Sequence, residues 1–430
     1  MLRPLHQVAR RRTGWASAPS LLSGADALIG NVDATGLFLD FLAGAAPSRC
    51  VSDDPAMDGR PARDKTRADM NRPHPIVPGL GARRLATPEQ LVEAGLAPPE
   101  RLAEFEAVAK RYAIGLTPAL AKLIEPGNPA DPIARQFLPD KRELLRDPAE
   151  RDDPIGDDAK SPLKGVVHRY PDRVLIKLVA VCAVYCRFCF RRERIGPGSA
   201  SLNDAEFRAA LDYVRDRPTI WEVILTGGDP MTLSPRRVAE TTQGIAAIDH
   251  VKTLRWHTRL PVAAPDRVSA ALARALVADG KTVVVAVHAN HPREFTAEAR
   301  AACGRLAKQG MMLVSQSVLL KGINDDAVTL EALMRAFVEA GIKPYYLHHP
   351  DLAPGTGHWR VPIATGQELM ALLRRRLSGL AMPTYVLDIP GGQGKIPIGP
   401  QSIRTDGAGG YSLLDPQGAE HAYRDFAGET

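Results

Sequence analysis

The sequence predicts an α/β fold built on a parallel sheet that is rolled, completely or partly, into a barrel. Three observations predict it. Short β-rich runs alternate with helix-patterned segments through the middle of the chain. The runs are almost continuously apolar, as strands covered on both faces must be. Polar and special residues collect where the runs end, at Cys182, Thr226–Asp229, His257, His291, Gln316, Asp351 and Asp388. In barrel enzymes that C-terminal rim is where sites are built.

Each segment has its own signal. Residues 1–69 carry an arginine run (Arg10, Arg11, Arg12) and much Ala, Gly, Ser and Pro. Such a composition predicts a weakly ordered extension. Gly24 and Asp26 interrupt the apolar stretch a signal peptide would need, and Met70 is a second candidate start for the folded protein. Residues 70–166 read as a helical N-terminal region followed by a connector. Thr87-Pro88 opens a helix, with Thr as N-cap and Pro in the first turn. Leu102, Phe105, Val108, Ala109, Tyr112 and Ile114 continue a helical stripe over 99–124, and 125–166 is rich in Pro, Asp and Arg.

The barrel is expected over 167–382. Its strands are 173–181, 222–227, 253–258, 282–290, 311–320 and 343–351, with helices such as 266–280 and 296–310 that each end in Gly. Six units in succession fit a (β/α)6-type partial TIM barrel better than a flat doubly wound sheet. A seventh run, 383–390, flanks it and opens a C-terminal segment, 383–430.

Composition narrows the function classes. The 430 residues suffice for one large domain or two ordinary ones. Lys plus Arg (55) against Asp plus Glu (49) leaves a formal charge of +6, spread too thinly to predict a nucleic-acid partner. No apolar run reaches the roughly 18 residues needed to span a bilayer, so no membrane partner is expected. Five cysteines, three of them between residues 182 and 189, predict a reducing, cytoplasmic setting rather than a disulfide scaffold.

Those three, Cys182, Cys186 and Cys189, follow the first barrel strand as CxxxCxxC. Three thiolates on one loop can hold three irons of a cubane and leave the fourth open to a chelating ligand. A zinc site and inert buried thiols are the alternatives; structural zinc would want a fourth ligand, and no second Cys or His pair sits nearby in sequence. Cys303 lies on a helix and reads as a small core residue, and Cys50 falls in the extension.

Cysteines in this pattern, followed after the next strand by Thr226-Gly227-Gly228-Asp229-Pro230, resemble the radical S-adenosylmethionine superfamily and its partial barrel. The stretches HRYPDRV (168–174), CRFCFRR (186–192), PYYLHHPD (344–351) and DIPGGQGKIP (388–397) together resemble the lysine 2,3-aminomutase family over about residues 75–400. The resemblance implies a [4Fe-4S] cluster on the three cysteines that cleaves S-adenosylmethionine, and pyridoxal phosphate that carries a migrating amino group. Lys395 matches the pyridoxal lysine. Its glycine-rich approach, Gly391-Gly392-Gln393-Gly394, would let the side chain swing. A nucleotide P-loop is the rival, but Ile389 replaces its first Gly and Ile396 its Ser or Thr. Arg173 matches the arginine for the cofactor phosphate. Arg191 matches the one that grips the substrate carboxylate, a task suited to a planar guanidinium. Thr226, Gly227, Gly228, Asp229, His291 and Gln316 match the S-adenosylmethionine pocket.

Asp351 and Asp388 match the acidic pair that receives the distant ammonium of lysine; a glutamate-using relative should carry basic or neutral groups there. The implied reaction is a 1,2-amino shift from L-lysine to β-lysine, served by a reducing electron donor. The alternative is the protein-modification branch, which makes β-lysine for elongation factor P. One departure stands out. Asp326 occupies a position where the clostridial branch has a zinc-ligating Cys, and no cysteine follows Cys303. No structural zinc is therefore expected, which leaves open the homo-oligomer associated with it. Two other readings are weaker. A metal-dependent barrel hydrolase built on the rim histidines leaves the cysteine loop unexplained. A non-catalytic iron–sulfur or RNA-binding protein lacks a basic, aromatic-rich strip.

Overall fold

The computed structural model describes residues 84–405 and 410–425. The expected extension over 1–69, with its arginine run and Cys50, and Met70 beyond it, lie outside the described residues.

Helix α1 (Pro88–Glu93) starts as expected, with the Thr87 hydroxyl accepting from the Gln90 N–H. The stripe beyond it does not form one helix. Helix α2 (Leu102–Ala109) stops, and Leu116 instead pairs in both directions with Leu85 at 2.8 and 2.9 Å. Further on, the Thr117-Pro118 step holds Thr117 extended, because a residue before proline is pushed out of the helical region. Thr117 then caps the short helix α3 (Pro118–Ala121). These pieces, with helix α4 (Ala134–Phe137), share a core of Leu91, Phe105, Leu116, Leu120 and Phe137.

Strand β1 (Val166–Tyr170) forms at the end of the expected connector and turns at Pro171-Asp172 into β2 (Arg173–Val179), to which it is antiparallel. From β2 the sheet continues in sequence order through β3 (Glu222–Gly227), β4 (Thr253–Thr258), β5 (Thr282–His288), β6 (Met312–Val318), β7 (Lys343–His348) and β8 (Thr384–Ile389). All of these pairings are parallel. The stretch expected only to flank the barrel is thus its seventh parallel strand. β9 (Gly394–Pro397) folds back antiparallel on β8.

Helices α5 (Asp204–Arg215), α6 (Pro235–Ala246), α8 (Ala270–Ala275), α9 (Ala297–Ala307), α10 (Ala327–Glu339) and α11 (Ile363–Arg376) lie between the strands in sequence, with the four-residue α7 (Leu260–Ala263) after β4. The helix expected over 266–280 is shorter because Pro265 opens a separate tight turn and a cap at Ser269 starts α8. Strands β10 (Ile403–Thr405), β11 (Gly410–Leu414) and β12 (Glu420–Arg424) make a separate, largely exposed sheet.

Side-chain alternation along the barrel strands decides what faces inward. Val223 and Leu225, Leu254 and Trp256, Val283, Val285 and Val287 join the main core with the helices. Their neighbours Thr226, His257, His288, Gln316, His348 and Asp388 line the interior. The sheet is nearly closed. Across its gap the Lys395 N–H of β9 donates to the Tyr170 hydroxyl oxygen of β1 at 2.8 Å.

Candidate active site

The loop that leaves β2 carries Cys182, Cys186 and Cys189, and the N-terminal region clamps it. The Tyr185 N–H donates to Gly115 O and the Arg187 N–H to Gln136 O, both at 2.9 Å, while Val184 enters the second core. The buried Arg187 guanidinium is held by Glu143 at 2.6–3.1 Å, and Arg192 binds the same carboxylate. All three cysteines line one cavity of about 240 Å³. Burial raises each thiol, Cys186 to about 11, so the metal-free loop holds its protons at neutral pH. Metal binding must expel them. Among the described residues no trio of His, Cys, Asp or Glu converges as a single ion would require. In a cubane each thiolate meets its own iron, so a shared loop and a shared wall are what the group needs.

The glycine loop follows β3 and fills in the wall behind the cysteines. A Cβ on Gly228 would lie 2.2 Å from Val181 O, and one on Gly227, at φ +107°, 2.4 Å from Val179 O. The paired glycines are therefore demanded by the chain itself, which packs the end of β3 against the root of the cysteine loop. Asp229 is spoken for: its carboxylate accepts from Thr258 Oγ1 at 2.8 Å, Arg259 N at 2.9 Å and Met231 N at 3.1 Å. It ties β3 to β4 from the cavity wall. Thr226, Gly227, Gly228, Asp229 and Gln316 all line the cavity.

The same cavity is also lined by Lys395, Asp388 and Asp351. Lys395 Nζ donates to Asp388 Oδ1 at 2.6 Å. His348 Nδ1 lies 3.6 Å and Arg169 Nη1 3.7 Å from the same carboxylate. Burial alone would raise Asp388, but His348 and Lys395 outweigh it and hold it well below the usual range. Asp351 behaves oppositely: burial, then the nearby Asp388 charge, push it up to about 7. Two like carboxyls in one dry wall cannot both ionise freely. Asp157 gathers cations on the flank, with Arg191 at 3.1 Å, Arg169 at 3.3 Å and Lys177 at 3.9 Å. Burial would raise its carboxyl, and those three hold it low. His257 and His288 are kept neutral by burial, His288 down to about 3.

Two expected residues are placed elsewhere. Arg173 stacks on the Tyr170 ring at 3.7 Å and pairs with Asp172 at 2.8 Å, outside the cavity lining. His291 also lies outside that lining; its Nδ1 accepts from the Arg293 N–H and caps a tight turn. In their places the cavity has Arg169 and Asn290. Arg169 was readable. V-V-H-R-Y-P-D-R-V alternates about a Pro-Asp turn, and in a hairpin Val167 and Arg169 share a face. Asp157 and Arg259 carry no local signal.

Comparison with known proteins follows the same line. No family profile matches the chain. An L-lysine 2,3-aminomutase from Acetoanaerobium sticklandii is 35% identical over 320 residues, covering 74% of this chain and 77% of that protein. A glutamate 2,3-aminomutase from Clostridioides difficile is 35% identical over 300 residues, 70% of this chain and 71% of that one. Among solved structures, a radical SAM methyltransferase from Sphaerobacter thermophilus aligns over 53% of this chain and 71% of its own, at 22% identity and a TM-score of 0.38. With a cysteine loop, a glycine loop and a lysine–aspartate cluster around one barrel cavity, and with aminomutase relatives 35% identical over about three quarters of its length, this chain belongs to the lysine 2,3-aminomutase family of radical S-adenosylmethionine isomerases.

Proposed function

We propose that this isomerase acts on free L-lysine and yields β-lysine. The observation that carries the choice of substrate is the 2.6 Å pair between Lys395 Nζ and Asp388, with Asp351 in the same wall. The chain's own ammonium fills a position that two carboxylates define. A substrate side-chain ammonium finds the same partners there, whereas a glutamate carboxylate would meet like charge.

Cys182, Cys186 and Cys189 would hold the [4Fe-4S] cluster, Lys395 the pyridoxal phosphate, and Thr226, Gly227, Gly228 and Gln316 the flank that takes S-adenosylmethionine. Arg169, buried beside Lys395, suits the cofactor phosphate better than Arg173 does. When bound, these groups supply radical generation and an electron-delocalising ring, chemistry that belongs to the cofactors. The protein's share is binding and orientation. Arg191, fixed on one side by Asp157, presents its remaining N–H groups to a substrate carboxylate. Asp388 stays ionised and Asp351 carries the pair's proton below about pH 7, so one cation is matched by one anion. Leu175, Val318 and Leu320 make the lining partly apolar.

In functional terms the barrel strands from β2 to β8 supply the cluster loop and rim, β9 supplies the cofactor lysine, and the helical region before β1 braces the cysteine loop. The test is anaerobic reconstitution with iron, sulfide, pyridoxal phosphate and S-adenosylmethionine, reduction by dithionite, and product analysis. β-Lysine from L-lysine and no β-glutamate from L-glutamate is expected. A preference for glutamate would overturn the substrate. Product formed only when elongation factor P and its lysyl-transfer enzyme are added would favour the protein-modification branch.

A further inference from the structure

We propose that Arg259 is a positioning residue for the iron–sulfur centre, donating a hydrogen bond to the Cys186 sulfur and raising the reduction potential of the cluster. The inference rests on the reading that the three cysteines hold that cluster. Arg259 follows β4 directly, and its backbone N–H is fixed on Asp229. The residue is only 7% exposed. Nη2 donates to Gln136 Oε1 at 2.7 Å and to Glu294 Oε2 at 2.5 Å. Nη1 reaches Cys186 Sγ at 3.4 Å. The rings of Phe137 and Phe188 pack against the group at 4.9 and 5.7 Å.

The network that aims Arg259 does not depend on the cysteines. Glu294 also accepts from the Asn290 and His291 N–H groups and from Gln136 Nε2. Gln136 O in turn receives the Arg187 N–H of the cysteine loop. The donor is thus held in place before any metal arrives. A planar guanidinium whose Nη2 is already held by two acceptors loses little freedom in making the further contact from Nη1.

The physical consequence concerns one electron. A low-potential donor passes it to the cluster, where it adds negative charge to iron and sulfur, and no bond to Cys186 forms or breaks. An N–H donor aimed at sulfur stabilises the electron-rich state more than the oxidised one, so reduction becomes easier. Glu294 works the other way, because its charge offsets the guanidinium at longer range.

Two substitutions with opposite expected signs test this. Arg259→Lys removes the fork that reaches both Gln136 and Cys186. Glu294→Gln keeps the guanidinium and removes the offsetting charge. In the reconstituted full-length protein, a redox titration followed by electron paramagnetic resonance should show a more negative midpoint for Arg259→Lys and a less negative one for Glu294→Gln. Iron content should equal that of the parent. Unchanged midpoints, or shifts of the same sign in both iron-loaded variants, overturn the proposal. Should Arg259→Lys lose its iron, Glu294→Gln alone decides by its sign. A parent protein that binds no iron would instead overturn the cluster reading itself.

Discussion

Asp351 and Asp388 carry the same side chain into the same wall, yet their surroundings drive them apart. Lys395 and His348 keep Asp388 ionised, and Asp351 is left to absorb burial and its neighbour's charge. Unfolded aspartate ionises near pH 3.9, so between about pH 4 and 7 the folded chain holds a proton on Asp351 that the unfolded chain has lost. Stability therefore falls as pH rises through that window. Asp351→Asn removes this penalty. In melts of the metal-free protein its advantage should be absent below about pH 4, grow to about pH 7 and then level off. For a protein of this size each 1 kcal/mol is worth about 2–4 °C. An advantage that does not change with pH would refute the assignment. Asp388→Asn acts on the substrate instead. Losing a hydrogen bond to a charged group costs roughly 1.5–3 kcal/mol, about tenfold to a hundredfold in affinity. The KM for lysine should rise by that factor while S-adenosylmethionine binding holds, and the double variant should cost less than the sum. If the melting temperature fell and the KM for lysine did not move, Asp388 would be a structural residue.

Glycines 227 and 228 show how an element can be constrained by what it touches rather than by its own propensity. Gly228→Ala has no room beside Val181 O, a backbone atom that cannot rotate away. The end of β3 or the cysteine loop must shift, so the variant should melt lower and take up less iron on reconstitution. Gly304→Ala in α9 is the control, since a Cβ there meets nothing within 4 Å. It should stabilise by up to about 1 kcal/mol, the helix preference for Ala over Gly, and leave iron uptake unchanged. A neutral Gly228→Ala would mean that the β3–loop contact is loose. Most elements were legible because strands of alternate or continuous apolar residues announce themselves. The exceptions are specific: the stripe that looked helical ends at Ala109 and helix resumes only after the Thr117-Pro118 step, and β1 is a short strand between the Pro- and Asp-rich connector and the Pro171-Asp172 turn that folds it into a hairpin.

On the scale of the whole molecule, one barrel core lies behind the strands and a second apolar core braces the cysteine loop from the N-terminal side. Among the described residues no helix is long and apolar enough to cross a membrane. The second core takes Val184 and, at its edge, Cys186, but none of its packing needs metal. A Cys182, Cys186, Cys189→Ala triple variant should therefore lose iron and brown absorbance yet keep a single cooperative melt within a few degrees of the metal-free parent. Loss of cooperative melting would show that the loop, not the cores, holds the two regions together. The sequence by itself determined the barrel, its polar rim and the three-cysteine loop, because strand periodicity and loop spacing are local properties; the acidic pair and the lysine came from resemblance to the family. Only the tertiary structure decided which residues face the cavity and which are otherwise engaged. It turned Arg169 inward and Arg173 onto Tyr170, used His291 as a cap, and satisfied Asp229 within the wall. It also brought Gln136, Glu294 and Cys186 to one guanidinium from 123, 35 and 73 positions away along the chain. Contacts over such separations are set by how helices and strands close on one another, and no local pattern records them.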